Sequence, residues 1–156
     1  MTRHLLLVLA AALLAACTPL VTQTSLTPPM GFEGPRLTSD HLVSYDGARL
    51  GLTVWPAESG EPEVVVVALH GMNAYANAFN FAAPVWARAG VTTYAYDQRG
   101  FGRSPQRGLW PEEEVLLEDL RTAVALVRAR HPHAHVVVAG ESMGGAVVLV
   151  AADRGV

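Results

Sequence analysis

Gly140-Glu141-Ser142-Met143-Gly144 sets a serine between small residues. It follows the β-branched run His135 to Ala139 and leads into Gly144 to Ala152, an apolar stretch that reads as helix. A strand that turns at once into a helix strains the residue at the corner. Only small residues two positions before and two after escape a clash there. The strain pushes Ser142 Oγ out at the C-terminal edge of a sheet, where open α/β sheets bind their ligands. With the positive end of the next helix behind it, such a hydroxyl suits attack on a carbonyl carbon. The plainer alternative is a glycine-rich helix start with Ser142 as its cap.

Two further stretches combine polar residues and glycine at strand ends. Leu69-His70-Gly71-Met72 closes the run Val64 to Leu69, and Asp97 to Ser104, DQRGFGRS, closes the run Val91 to Tyr96. Asp97 has the position of a catalytic acid. His131, His133 and His135 alternate as metal ligands can, but they straddle a helix end, a proline and a strand start. That placement suits loop and surface histidines better. Trp86, Phe101 and Trp110 have no periodic or clustered context and read as packing residues.

The elements that must position these residues follow from periodicity. His41 to Tyr45 and Ala48 to Trp55 read as strands joined at Asp46-Gly47, a hairpin signal because both positions tolerate φ > 0. Val64 to Leu69, VVVVAL, is apolar on both faces, as in a parallel sheet. One helix is expected over Ala76 to Ala89, ending at Gly90. Pro111 is expected to open another, with Glu112, Glu113 and Glu114 in its first turn and Arg128 and Arg130 in its last. Leu116, Leu120, Ala123, Val124 and Val127 form its apolar face, and Pro132 stops it. The order is a hairpin followed by β-α-β-α-β-α. That predicts an open α/β fold with right-handed parallel crossovers.

Composition narrows the function. With 156 residues, 51% of them hydrophobic, the chain can build one core. All 11 basic residues are arginine, and the net charge of −3 argues against a nucleic-acid partner. A single cysteine, Cys17, excludes an intrachain disulfide and a cysteine-based zinc site. The chemistry outlined so far needs neither metal nor cofactor.

Cys17 ends a segment of a different kind. Arg3 precedes the wholly apolar run Leu5 to Ala16. A span of the bilayer needs about 20 apolar residues, so this length suits a secretory signal. The ending Leu14-Ala15-Ala16-Cys17 resembles the lipobox of bacterial lipoproteins, which implies cleavage after residue 16 and acylation of Cys17. An ordinary signal peptide with an incidental cysteine, or a short buried helix, are the alternatives. Thr18 rather than Asp follows the cysteine, so in a diderm bacterium the resemblance favours the outer membrane. The stretch 17–38, rich in Thr, Pro and Gly, then reads as a tether between a lipid anchor and a domain at 39–156. An ordered arm packed on the domain is the alternative for its later half.

LHGMNAYANAF at 69–79, YDQRGFGRS at 96–104 and GESMGG at 140–145 stand in an order and spacing that resemble the α/β-hydrolase family. The resemblance is to its branch of monoacylglycerol lipases, lysophospholipases and serine-aminopeptidase-like enzymes. It implies Ser142 as nucleophile at a sharp elbow bounded by Gly140 and Gly144. It implies Met72 and Met143 as the donors of the two oxyanion-hole N–H groups, each typically worth about 3 kcal/mol to the transition state. His70 beside Gly71 then shapes the loop, with a general-base role as the lesser alternative. Asp97 and Arg99 then hold the loop near the elbow by ion pairing and backbone hydrogen bonds. The substrate would be a small acyl ester or lipid, such as a monoacylglycerol or lysophospholipid, with peptides as a second possibility.

In that family an acid and then a histidine follow the serine. After Ser142 this sequence holds one acid, Asp153, and no histidine. The expectation is therefore a partial α/β-hydrolase fold that reaches the elbow and lacks the later strands. A truncated gene, a partial sequence and one piece of a split protein all fit. A non-catalytic lipoprotein that uses the fold as a binding or interaction module is the alternative from another class.

Overall fold

The computed structural model of the chain describes residues 21–156. Cys17 and the apolar run before it lie outside the described residues. In chain order the elements are β1 (Thr22–Gln23), β2 (Arg36–Leu37), β3 (His41–Val43), β4 (Arg49–Trp55) and β5 (Val64–Leu69). A 3₁₀ turn (Ala76–Asn80), α1 (Ala83–Arg88), β6 (Val91–Tyr96) and β7 (Trp110–Pro111) follow. The last three are α2 (Glu113–Arg130), β8 (His135–Gly140) and α3 (Met143–Asp153).

Six strands form one mixed sheet in the order β2-β3-β4-β6-β5-β8. β6, β5 and β8 are parallel, with Val64 opposite both Val91 and His135. β4 joins them antiparallel, with Leu52 opposite Tyr96. β5 explains the uniform VVVVAL run, because its alternate side chains enter two different cores. Val65, Val67 and Leu69 pack with Leu116, Leu120, Val124 and Val127 of α2. Val66 and Ala68 face the other way, toward Ala76, Phe79 and Ala83. Both faces of the strand are therefore dry, and polar residues have no place on it. β8 lies at the edge of the described sheet, and its Val137 is 47% exposed.

Local differences from the sequence reading have local causes. The helix expected over 76–89 is broken into a 3₁₀ turn and α1. Pro84 sits in the first turn of α1, where its missing N–H costs nothing, and it cannot extend a helix from the residues before it. α2 begins at Glu113 rather than at Pro111. Pro111 pairs with Gln23 in a short parallel ladder, and the Glu112 N–H donates to the Gln23 carbonyl (3.0 Å). That bond holds Glu112 extended (φ −64°, ψ 149°), so helical backbone starts one residue later. The hairpin turn is longer than a two-residue Asp-Gly turn. Gly47 alone is left-handed (φ 81°), and the Asp46 carboxylate points inward.

The segment read as a tether also differs. Residues 22–37 are attached to the domain at several points although most of their side chains stay exposed: Gln23 is buried, the Leu26 N–H donates to Asp46 (2.7 Å), and β2 pairs with β3. A buried glutamine whose Nε2 donates to the carbonyls of Gln106 and Leu109 ties the start of the arm down more firmly than its Pro- and Thr-rich composition suggests. Among the described residues no helix is long and apolar enough to cross a membrane.

Candidate active site

β8 delivers the chain to Ser142, and α3 carries it away. Ser142 sits at φ 50°, ψ −113°, a region that ordinary side chains avoid. The backbone has reasons to accept this. The Glu141 N–H donates to the Leu69 carbonyl (3.0 Å), the Gly144 N–H to Glu141 O (2.8 Å) and the Ala146 N–H to Ser142 O (3.0 Å). The corner is fixed on both sides by these bonds. Gly140 and Gly144 are packed so closely that a Cβ on Gly140 would overlap the Gly144 carbonyl. One on Gly144 would overlap the Leu69 carbonyl. The spacing of small residues in the motif is thus a steric demand of the turn. Ser142 is exposed, and its hydroxyl does not cap the following helix. The capping-serine alternative therefore fails.

The loop after β5 meets this corner. A Cβ on Gly71 would lie 3.4 Å from Ser142 Cβ, so Gly71 brings the backbone of the His70-Gly71-Met72 loop against the serine. Met72 follows as an exposed side chain, and Met143 is the first residue of α3. The structure thus brings Ser142, Gly71, Met72 and Met143 to one edge of the sheet. Asp97 follows β6 at the same edge, beside the His70 loop, but its carboxylate has different work.

His70 is completely buried. The Gln98 N–H donates to its Nε2 (2.9 Å), which makes Nε2 the acceptor. Nδ1 then carries the proton and donates to Gly71 O (2.7 Å). Burial lowers its pKa, and the bond to Gly71 with the nearby Asp97 and Glu141 only partly offsets that. With both nitrogens engaged, His70 has no lone pair to offer Ser142. The Gln98 side chain adds a bond from Nε2 to His70 O (2.7 Å). Gln98 therefore clamps the loop from both sides.

In the DQRG segment Asp97 does the expected loop-holding by an ion pair and backbone hydrogen bonds, whereas Arg99 does not. Asp97 is buried and takes the Ala76 N–H (2.8 Å), the Arg103 N–H (2.8 Å) and Arg103 Nε (3.0 Å). Ser104 Oγ donates to its carbonyl. Arg99 turns the other way, into the core. Its guanidinium makes four bonds of 2.7–2.8 Å, two to Asp119 on α2 and two to Asp46 in the hairpin turn. The arginine has side-chain partners in both directions because neighbouring carboxylates converge on one point in the interior. Burial pushes the Asp119 carboxyl up against the pull of Arg99. Burial also opposes ionisation of Asp46, but Arg99 and the N–H groups of Leu26 and Ala48 outweigh it and lower its pKa.

Sequence reasoning missed Gln98, Asp46, Asp119 and Gln23. A signal existed for Asp119, which lies on the same helical stripe as Leu116, Leu120 and Ala123. A lone carboxylate on an apolar stripe asks for a buried cation. Asp46 was hidden by its turn-forming neighbour, and Gln23 by the composition around it.

The remaining candidates pack. Phe101 stands edge-on between His70 (5.6 Å between ring centres) and Trp110 (6.3 Å), and Trp86 packs against the smaller core. His131 Nε2 lies 2.8 Å from Tyr94 Oη.

A family model described as serine aminopeptidase, S33, matches residues 60–155. The chain is 34% identical over 118 residues to a monoacylglycerol lipase of Mycolicibacterium smegmatis, covering 74% of this chain and 42% of that protein. It is 32% identical over 116 residues to the monoglyceride lipase of Rattus norvegicus, covering 73% and 38%. Among solved structures it is similar to a soluble variant of monoglyceride lipase from Saccharomyces cerevisiae in complex with a substrate analogue. There the TM-score is 0.62 at 26% identity, covering 88% of this chain and 43% of that one. Est1E of Butyrivibrio proteoclasticus with ferulic acid bound shares the fold, with a TM-score of 0.63 at 21% identity over 70% and 45%. The chain spans about two fifths of the length of the curated relatives it matches.

Proposed function

The chain belongs to the serine aminopeptidase S33 family of α/β-hydrolases, and from that premise we propose that it is the nucleophile-bearing part of a serine hydrolase of carboxylic esters. Ser142 attacks the acyl carbon. The N–H groups of Met72 and Met143 receive the developing oxyanion, and His70 and Gln98 hold the loop that carries Met72. What carries this reading is the strained, exposed Ser142 set against Gly71 at the sheet edge. Monoacylglycerols and lysophospholipids are the favoured substrates, because two curated relatives are named monoacylglycerol or monoglyceride lipase.

A serine hydroxyl needs a base to remove its proton. Both nitrogens of His70 are engaged, so His70 is not that base. Slow covalent capture tests the nucleophile directly. The full chain is treated with an alkyl fluorophosphonate at rising pH, where hydroxide substitutes for the base, and modified serines are mapped by mass spectrometry. Ser142 is expected to be labelled well ahead of the exposed Ser39, with protection by a monoacylglycerol. Labelling of Ser142 no faster than Ser39 would overturn the reading.

The envelope location belongs to the same proposal. Cys17, after Leu14-Ala15-Ala16, is lipidated and anchors the domain to a bacterial membrane. Fractionation of cells expressing Cys17→Ser is expected to show unprocessed or soluble chain where the parent is membrane-bound and cleaved. Identical fractionation of the two would remove the anchor.

A further inference from the structure

The N-terminal arm enters the domain at the mouth of a cleft. The cleft measures about 670 Å³, and Met72, Tyr75, Leu109 and Trp110 stand on its rim, each at least 40% exposed. Single apolar side chains on a surface need no explanation, but several gathered on one rim mark an interaction face. Tyrosine and tryptophan suit a lipid–water boundary, because each ring is apolar and carries one polar atom. No acidic side chain lines the cleft, so nothing there repels a layer of anionic headgroups.

The arm is clamped to that rim. Thr22 and Gln23 of β1 pair with Trp110 and Pro111 of β7. Gln23 Nε2 donates to Leu109 O (2.7 Å) and to Gln106 O (3.2 Å), and the Glu112 N–H donates back to Gln23 O (3.0 Å). Thr22 Oγ1 donates to Glu112 Oε1 (3.2 Å). Phe101 supports the Trp110 ring edge-on from within the cleft (6.3 Å). A pull on the arm is therefore a pull on the rim. The family model matches residues 60–155, so the arm lies outside what the chain shares with that family.

Cys17 stands five residues before Thr22. Five residues of chain span at most about 18 Å even when fully extended. A small domain is about 30 Å across. The tie is shorter than the domain is wide, so an acyl group on Cys17 brings the point where the arm enters to the bilayer and keeps the opposite face away from it.

Resting on the lipid-anchor reading above, we propose that the arm from Cys17 to β1 seats the mouth of the cleft on the membrane, with Met72, Tyr75, Leu109 and Trp110 against the lipid surface. Val21, the exposed residue before β1, continues the same apolar edge toward the anchor. Met72 belongs to the loop that lies against Ser142, so a lipid leaving the bilayer meets the cleft beside the nucleophile.

The full chain is produced in a bacterium that processes lipoproteins and is bound to phosphatidylcholine vesicles carrying a photoactivatable diazirine in the acyl chain. Adducts are mapped by mass spectrometry after illumination. Met72, Tyr75, Leu109 and Trp110 are expected to carry several-fold more adduct than Leu149, an equally apolar and more exposed residue on α3. Leu109→Glu sets a charge on the rim and is expected to lower the adducts at Met72 and Trp110 several-fold while the chain stays on the vesicles. Circular dichroism checks that the variant is folded. Even labelling of the rim and Leu149, or rim labelling that Leu109→Glu leaves unchanged, would overturn the seated face and leave the anchor and the hydrolase reading standing. A mass without an acyl group on Cys17 removes the anchor, and the seated face falls with it.

Discussion

Around β4 and β6, in the middle of the sheet, the buried charges are answered by opposite charges. At the β8 end the nucleophile stands in solvent with its hydroxyl committed to nothing. Arg99 shares four short bonds with Asp46 and Asp119, and Asp97 is filled by Arg103 and two backbone N–H groups. Ser142 instead holds its place by backbone geometry alone. The difference separates two ways of fixing a catalytic group. The loop carrying Met72 is positioned by polar contacts from a neighbouring strand end, Gln98 bonding both the ring and the carbonyl of His70. The serine is positioned by a local steric device, a strained corner between two glycines.

Breaking the charged region should cost most. Arg99→Leu strands two carboxylates in the interior, and removal of one partner from a buried pair typically costs about 3–5 kcal/mol. The expected result is loss of most of the urea stability of the chain, with Arg99→Lys recovering only part of it. An unchanged urea midpoint in Arg99→Leu would mean that this region is not held by its charges.

The steric end should break next. Gly144→Ala forces a Cβ into the Leu69 carbonyl, and overpacking of this kind costs about 3 kcal/mol. The same urea titration should show the loss. Gly144→Ala should also slow fluorophosphonate labelling of Ser142, which a purely global effect on stability would not do in the folded fraction.

A smaller effect of opposite sign sharpens the contrast. Ser142→Gly releases the backbone strain and should raise stability by about 1 kcal/mol, after allowing for the looser unfolded chain. Ser142→Ala keeps a Cβ in the same conformation and should leave stability unchanged. Equal stability of the two variants would show that no strain is stored at the elbow.

The smallest effect concerns pH. Burial depresses the His70 pKa in the folded state, so between that value and the ordinary one, about 6.5, the unfolded chain binds more protons. The contribution of neutral His70 is full above about pH 6.5 and is lost as pH falls through the folded-state value. The urea midpoint should therefore drop on acidification from pH 7 toward pH 5, and His70→Gln should flatten part of that slope. His131, lowered by burial and by Arg130, works in the same direction, so Tyr94→Phe/His131→Gln serves as the control.

Local pattern was enough for whatever depends on neighbours along the chain. The uninterrupted valines of β5 require two dry faces wherever the strand sits. The β-α-β-α-β-α order follows from alternating periodicities. The glycines two before and two after Ser142 announce the corner, because the clash they avoid is between residues a few positions apart. Tertiary structure alone decided the pairings that span the chain. Arg99 abandons Asp97, two residues away, for Asp46 and Asp119, because Asp97 already receives Arg103 and two N–H groups while the interior leaves two carboxylates without a cation. Pro111 becomes a strand residue rather than a helix start because Gln23, far back in the sequence, supplies a carbonyl for Glu112. A one-dimensional pattern encodes sterics and periodicity at short range. Which buried donor meets which buried acceptor depends on where the folded chain carries them, and only the three-dimensional packing settles that.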